Sequence, residues 1–496
     1  MSEQGHRAQR ALNGIFGSVG VAGLALLAAC GAYGGPMGVT TGGAQDVGYA
    51  RNAVAAGQIP PASAFVIEGL LSEHDIAVQH APCEELLCFD AAVGVAPALD
   101  TGRDTAFMVV GFSTGMAPGA LRRPALNLAL VIDRSGSMAG AKMAAAREAA
   151  HRVVDQLGPD DRLTVIAFDD GFDVLVEAEA VTEARRRRIH ARVDDIDDDG
   201  GTDLEGALAL ALEELEDGRG GGREGRVLMV TDAQPTVGAR GESAFVGLAA
   251  KGAAEGVGLT LVGVGLDVGQ DLALAMSRVP GANYVYVETA EKLERLGEDF
   301  DMLVTPLAWD FTMRVEPVPG YRVARAYGVP SWVSDAGGGA VDVHVPTLFP
   351  SRNRGAIVLA LEPAEGGPPL GPGPLARREL AYRERRGEAL RRFEGEVVVP
   401  AAGAAADAGV AEAVALVNVG LGLQSAAALG REGRYEEALI ALAATREVAE
   451  GEDLAGEREL VDGLEAVVRE HARREDGRVR AAWEDEEAGR DPRWIR

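Results

Sequence analysis

Leu128-Ala129-Leu130-Val131-Ile132-Asp133-Arg134-Ser135-Gly136-Ser137 is the stretch that decides how this chain is read. Five apolar residues in succession suit a strand covered on both faces, as parallel strands are. An aspartate follows at once, then two serines at alternate positions, so polar oxygens gather at that strand's carboxyl end. Working outward, strand-length apolar runs recur at Leu163 to Phe168, Val227 to Thr231, Leu259 to Val264 and Tyr284 to Val287. Between them Met143, Ala146, Ala150, Val153 and Leu157 share one helical face, as do Leu204, Leu208, Ala211 and Leu215, with Glu213, Glu214 and Glu216 opposite. Strand and helix in alternation predict an α/β fold, a doubly wound and mostly parallel, Rossmann-like sheet over residues 124–305.

In such a sheet ligands bind beyond the carboxyl ends of the strands. Two further pieces fall where the topology would bring them to that edge. Gly200-Gly201-Thr202-Asp203 opens a helix, and Val230-Thr231-Asp232 ends a strand. The set Asp133, Ser135, Ser137, Thr202 and Asp232 offers oxygen only, which suits Mg²⁺, Mn²⁺ or Ca²⁺ and disfavours zinc or copper. These residues resemble the metal-ion-dependent adhesion site of von Willebrand factor type A (VWA) domains. The resemblance implies that Ser135 and Ser137 ligate directly, while Thr202, Asp133 and Asp232 do so directly or through water. It also implies a protein partner that offers an Asp or Glu carboxylate to the ion, and a binding role in place of catalysis.

The beginning of the chain has its own pattern. Arg7 and Arg10 precede an apolar, small-residue stretch that ends Leu27-Ala28-Ala29-Cys30. That ending resembles the lipobox of bacterial lipoproteins and implies a signal peptide over 1–29 and lipid on the Cys30 sulfur. The expected location is the bacterial cell envelope, with Gly31 favouring the outer membrane of a two-membrane cell. Residues 30–60, rich in Gly, Ala and Pro, read as a flexible tether. Within it and just beyond, Asp46-Val47-Gly48-Tyr49-Ala50-Arg51 and the run from Gly57 to Pro61 loosely resemble a segment ahead of the VWA domain in YfbK-type lipoproteins.

Residues 61–123 are expected to form a small N-terminal region with strands at Leu86 to Ala92 and Thr105 to Phe112. Cys83 and Cys88 fit either a small loop disulfide or a pair of free thiols. Residues 306–400 read as a β-rich domain of strands between Pro and Gly turns, 401–475 as a helical region, and 476–496 as a frayed, charged tail.

Composition narrows the function further. With 48 basic and 76 acidic residues the net charge is −28, which repels polyanions and argues against nucleic acid as a partner. Gly111-Phe112-Ser113-Thr114-Gly115 has nucleophile-elbow spacing, so a serine hydrolase using Ser113 is the enzymatic alternative, although Pro118 and Gly119 oppose the helix such an elbow needs. The seven histidines include no His-x-x-x-His pair, so a metalloprotease lacks its ligands. Arg185 to Arg188 read as the solvent face of a helix. A non-adhesive role, as an envelope assembly or stress-response scaffold regulated through the same site, is the rival binding function.

Overall fold

A computed structural model describes residues 37–496 apart from 42–46, 79–82, 118–119, 217–220, 233–240, 265–271, 273–274, 277, 288–292, 294–295, 330–332, 338, 402–406, 453 and 489–496. The signal peptide expected over 1–29 and the lipid site expected at Cys30 lie outside the described residues. In chain order the first elements are β1 (Gly38–Thr41), α1 (Gly48–Ala55), α2 (Ile67–Glu73), β2 (Cys88–Pro97) and β3 (Asp104–Ser113). Over the described residues 37–41 and 47–60 the expected tether is thereby corrected, while 30–36 and 42–46 lie outside the described residues. β1 pairs antiparallel with a strand more than 300 residues further on, Gly38 opposite Ser351, and Val39, Val47 and Ala50 are buried. The small residues that suggested a linker instead allow close approach: a Cβ on Gly38 would collide with the backbone of Asn353.

The next elements are β4 (Leu126–Asp133), α3 (Ala141–Gln156), β5 (Arg162–Phe168), β6 (Phe172–Ala180), α4 (Glu183–Asp194), α5 (Leu204–Glu216), β7 (Glu224–Thr231), α6 (Gly241–Ala254), β8 (Val257–Val264), β9 (Asn283–Val287) and α7 (Leu296–Val304). Their six strands form one sheet in the order β6-β5-β4-β7-β8-β9. All pairs are parallel except β5 with β6. Chain order reverses direction between β4 and β7, the switch point at which a crevice opens beyond the strand ends. β4 is buried along its whole length because α3 and α7 cover one face and α5 and α6 the other, the two cores meeting on alternate residues of the strand. One of the basic residues read as solvent-facing does more: Arg186 donates to the carbonyls of Val154 and Leu157 and so caps the end of α3.

The remaining strands are β10 (Ala308–Pro317), β11 (Tyr321–Tyr327), β12 (Val333–Gly337), β13 (Ala340–Ser351), β14 (Gly355–Pro363), β15 (Gly373–Arg383) and β16 (Arg391–Val399), followed by α8 (Ala408–Arg431), α9 (Tyr435–Gly451) and α10 (Ala455–Ala488). The expected division into a separate N-terminal region and a later β-rich domain is corrected here. β1, β2 and β3 join β10–β16 in one ten-stranded antiparallel sheet, with β3 paired to β2 along one edge and β14 along the other. One face of the sheet holds an aromatic cluster, in which Phe311 meets Phe112 at 5.3 Å and Phe89 at 5.7 Å between ring centroids.

Its outer surface on β2, β3 and β14 carries Ala92, Phe107, Val109 and Val358, which share a core with α2 and with α8 residues Val410, Val414 and Val417. α8 is long and apolar enough to cross a membrane, yet 78% of its most apolar window is buried in this core. Over 476–488 the tail read as frayed is also corrected, since α10 continues to Ala488; 489–496 lie outside the described residues. A disulfide joins Cys83 to Cys88 just ahead of β2.

The two sheets meet at the amino-terminal edge of the parallel one. Arg226, near the start of β7, donates to the Gly281 carbonyl at 2.7 Å and lies over the Phe349 ring. Its burial lowers the guanidinium pKa to about 10, which still leaves it charged at neutral pH. Gly281 N donates in turn to Thr347 Oγ1, and Arg386 stacks on Trp309 while bonding the carbonyls of Ala253 and Pro280.

Candidate metal centre

Asp133 closes β4 and is fully buried. Its Oδ1 accepts from Ser135 N at 2.8 Å and its Oδ2 from the Thr231 hydroxyl. One carboxylate thus fixes both the turn that follows its own strand and the end of the neighbouring strand β7. The turn carries Ser135 and Ser137 so that their hydroxyls stand 3.0 Å apart, and Ser137 Oγ donates to Asp232 Oδ1 at 2.8 Å. Asp232 follows β7 directly and is buried, whereas Ser137 is exposed, so the cluster opens to solvent on the serine side.

Thr202 reaches this place through the backbone. Gly136 N donates to the Gly200 carbonyl at 3.2 Å and Asp199 N to the Arg134 carbonyl at 2.8 Å, which ties the loop before α5 to the serine turn. Thr202 stands two residues beyond that contact. Gly200 has φ +75°, and a Cβ there would collide with the Asp170 carboxylate, so the Gly200-Gly201 pair is what lets this loop close on its neighbour. Four of the five expected oxygen residues are therefore joined in one chain of contacts, and the fifth is delivered alongside by a neighbouring loop.

Three residues outside the expected set shape the cluster. Thr231 orients Asp133. Arg134 holds the rim, pairing with Asp169 at 2.8 Å and Asp173 at 2.7 Å. Lys142, in the first turn of α3, places its ammonium 2.5 Å from Asp232 Oδ2. Its signal in the sequence is a lone lysine one turn after the serines, which reads as ordinary helix surface until the fold sets it against Asp232.

Charge explains the lysine's position. Burial pushes the pKa of the Asp133 carboxyl above the ordinary aspartate value, the Thr231 and Ser135 hydrogen bonds pull it back, and the nearby Asp232 charge adds to the rise. Two carboxylates at the end of a buried sheet call for positive charge, and the side chains present suit a hard cation. They supply oxygen alone, from neutral hydroxyls as well as carboxylates; Asp133, Ser135, Ser137 and Asp232 stand in one chain of contacts, and the loop that carries Thr202 is tied to the serine turn. Among the described residues no group of three or more His, Cys, Asp or Glu could hold a metal, so at this cluster the hydroxyls are needed to complete a ligand set.

Residues 128–234 match the family profile of the von Willebrand factor type A domain. The chain carries a VWA domain. An uncharacterized protein of Synechocystis sp. is 34% identical over 113 residues, 23% of this chain and 26% of its own. Escherichia coli YfbK is 24% identical over 273 residues, 53% of this chain and 47% of its own. Human inter-alpha-trypsin inhibitor heavy chain H4 is 34% identical over 131 residues, 25% of this chain and 14% of its own. The chain thus spans between about a seventh and about half the length of these relatives. Among solved structures, the von Willebrand factor type A protein from Catenulispora acidiphila superposes with a TM-score of 0.52 at 14% identity, over 77% of this chain and 90% of that one. That likeness extends the shared fold beyond the VWA domain itself.

Ser113 is placed quite differently. It ends β3 within the antiparallel sheet, is buried, and pairs with Gly38 of β1 and Cys88 of β2. A nucleophile elbow needs an exposed hydroxyl on a strand-to-helix turn, and here the strand leads into a non-helical turn at Thr114 to Met116. The glycines around Ser113 serve close packing instead: a Cβ on Gly115 would collide with the backbone of Cys83 and Glu84.

Proposed function

We infer that the VWA domain is a divalent-cation-dependent protein-binding module, with Asp133, Ser135, Ser137, Thr202 and Asp232 holding Mg²⁺ or Mn²⁺. The observation that supports this reading is the chain of contacts in which the Ser135 hydroxyl meets that of Ser137 and Ser137 bonds the buried Asp232 carboxylate, with a lysine ammonium already drawn to the same group. When bound, the ion would supply an electrophilic position for a partner's Asp or Glu carboxylate. The chain's own residues do the rest. Asp133 orients the serine turn, Arg134 fixes the loop that presents Thr202, and the exposed Ser137 side leaves room for a partner to approach.

Thermal melts test the metal. Mg²⁺ or Mn²⁺ is expected to raise the melting temperature of the VWA domain and Asp133→Ala to abolish the rise; an equal rise in both proteins defeats the assignment. A parallel series with Zn²⁺ on wild type and Ser137→Ala shows whether the oxygen set also accepts a softer ion. A pull-down from source membranes, wild type against Asp232→Ala with and without Mg²⁺, tests the binding role, and an adhesive target or an envelope complex would be separated by what is recovered.

We further propose that lipid on Cys30 holds the protein at the bacterial envelope, a reading supported by the basic start and the Leu27-Ala28-Ala29-Cys30 ending. Cys30→Ala is expected to move the protein out of the membrane fraction, and unchanged fractionation argues against the anchor.

A further inference from the structure

Away from the oxygen cluster, on the α3–α4 contact, two histidines meet. His151 Nδ1 lies 2.6 Å from His190 Nδ1, with the ring centroids 4.7 Å apart. On its far side each ring faces a carboxylate: His151 Nε2 stands 2.9 Å from Asp194 Oδ1 and His190 Nε2 stands 3.0 Å from Asp155 Oδ1. The helix pair that presents them is pinned by Arg186, which bonds the Val154 and Leu157 carbonyls.

Counting hydrogens gives this arrangement its meaning. A neutral imidazole carries one N–H. Both Nε2 atoms face carboxylate oxygens, which only accept, so the two available hydrogens belong there. With both rings neutral in that tautomer, the two Nδ1 lone pairs are directed at each other, a repulsive contact that a shared proton or a metal ion between them relieves. Carboxylate behind the ring and a free nitrogen in front is also the arrangement that fixes tautomer and orientation in histidine ligands to metals.

We propose that His151 and His190 form a second metal site, for a borderline ion such as Zn²⁺, Ni²⁺ or Cu²⁺, with Asp194 and Asp155 as positioning residues. Imidazole nitrogen selects these ions over Mg²⁺, so the two sites take different metals. Zinc at ~2.0–2.1 Å from each nitrogen in a tetrahedral shell needs the nitrogens roughly 3.3 Å apart. The rings therefore open by about 0.7 Å, a side-chain rotation. Each imidazole is about a quarter exposed, 22% and 24%, so water can complete the shell from solvent. Bound there, the ion cross-links α3, whose first turn carries Lys142, to α4.

Calorimetric titration of the full chain with Zn²⁺ in excess Mg²⁺ tests this. One zinc equivalent is expected in wild type and in Asp133→Ala. His151→Ala and His190→Ala are each expected to lose at least tenfold in affinity. Asp194→Asn, an exposed change that spares the helix contact, is expected to weaken zinc about tenfold and keeps the test valid if a histidine variant folds poorly. Co²⁺ substituted for zinc should give the visible absorption of nitrogen-ligated tetrahedral cobalt, lost in His190→Ala. Zinc uptake unchanged in both histidine variants, uptake lost in Asp133→Ala, or no uptake in wild type overturns the proposal.

Discussion

The two sheets of this protein are built on opposite principles. The parallel sheet draws all six strands from one continuous stretch, Leu126–Val287, and its strands are neighbours in sequence order on each side of the switch point. The antiparallel sheet is stitched from distant pieces, pairing Gly38 with Ser351 and Phe112 with Gly355. Locality has a functional counterpart: the candidate metal residues all lie at or just beyond the strand ends of the first sheet, in its own loops, while the second sheet supplies the junction that holds the opposite edge. Tryptophan makes the regions separable, because Trp309, Trp332, Trp483 and Trp494 all fall outside 124–305. Emission from Trp309, on β10 at the junction, therefore reports the stitched region and its contact with the VWA domain, while the cation response reports the VWA domain itself.

The largest expected effect comes from the aromatic cluster in the core of the stitched sheet. Phe311 is fully buried against Phe89 and Phe112, and Phe311→Ala is expected to cost about 3–5 kcal/mol in urea unfolding followed by tryptophan emission. The Mg²⁺ response of the VWA domain should persist in that variant. Loss of both together would show that the two regions fold as one unit and would break the comparison.

A smaller effect lies where the N-terminal segment meets the helices. His74 bonds Glu412 at 2.9 Å and Glu457 at 3.1 Å, and these carboxylates raise its pKa from 6.5 to about 9. A pKa higher in the folded than in the unfolded state stabilises the fold fully below pH 6.5, and this contribution is lost as pH rises through about 9. Allowing for partial solvent screening, the contribution is on the order of 2 kcal/mol. Melting temperature should fall across that window in wild type and stay flatter in His74→Gln. Parallel curves would remove His74 as the cause.

The smallest is Arg354→Ala. Arg354 makes a two-pronged pair with Asp75 at 2.9 and 2.7 Å and so links α2's exit to the turn before β14. Partial exposure limits the expected loss to about 0.5–1 kcal/mol by the same urea assay, and a loss above that range would mark the stitch as stronger than a surface pair.

The same contrast explains what could be read from the residues alone. The runs at Leu128 to Ile132 and Val227 to Thr231 announce buried strands because each carries its full pattern locally, and Asp133 and Asp232 follow from where those runs stop. Val39 and Val47 gave no such signal. Pairing with Pro350, more than 300 positions away, makes Val39 a strand residue, and Val47 finds its place only in the core that α1, α2 and α8 share. Lys142 and the His151–His190 pair stayed hidden for a related reason, since their contacts run between elements and leave no fixed spacing within one helix.

One consequence of the junction concerns force. The chain enters the VWA domain at Pro124 and leaves it at Val304, beside contacts such as Arg226 with Gly281, while the serine turn lies at the far ends of the same strands, roughly 20 Å away. If a protein held the metal edge, as proposed above, a pull against the rest of the chain would run along β4 and load its backbone hydrogen bonds to β5 and β7 side by side in shear, whereas a load across the strands would unzip them one at a time.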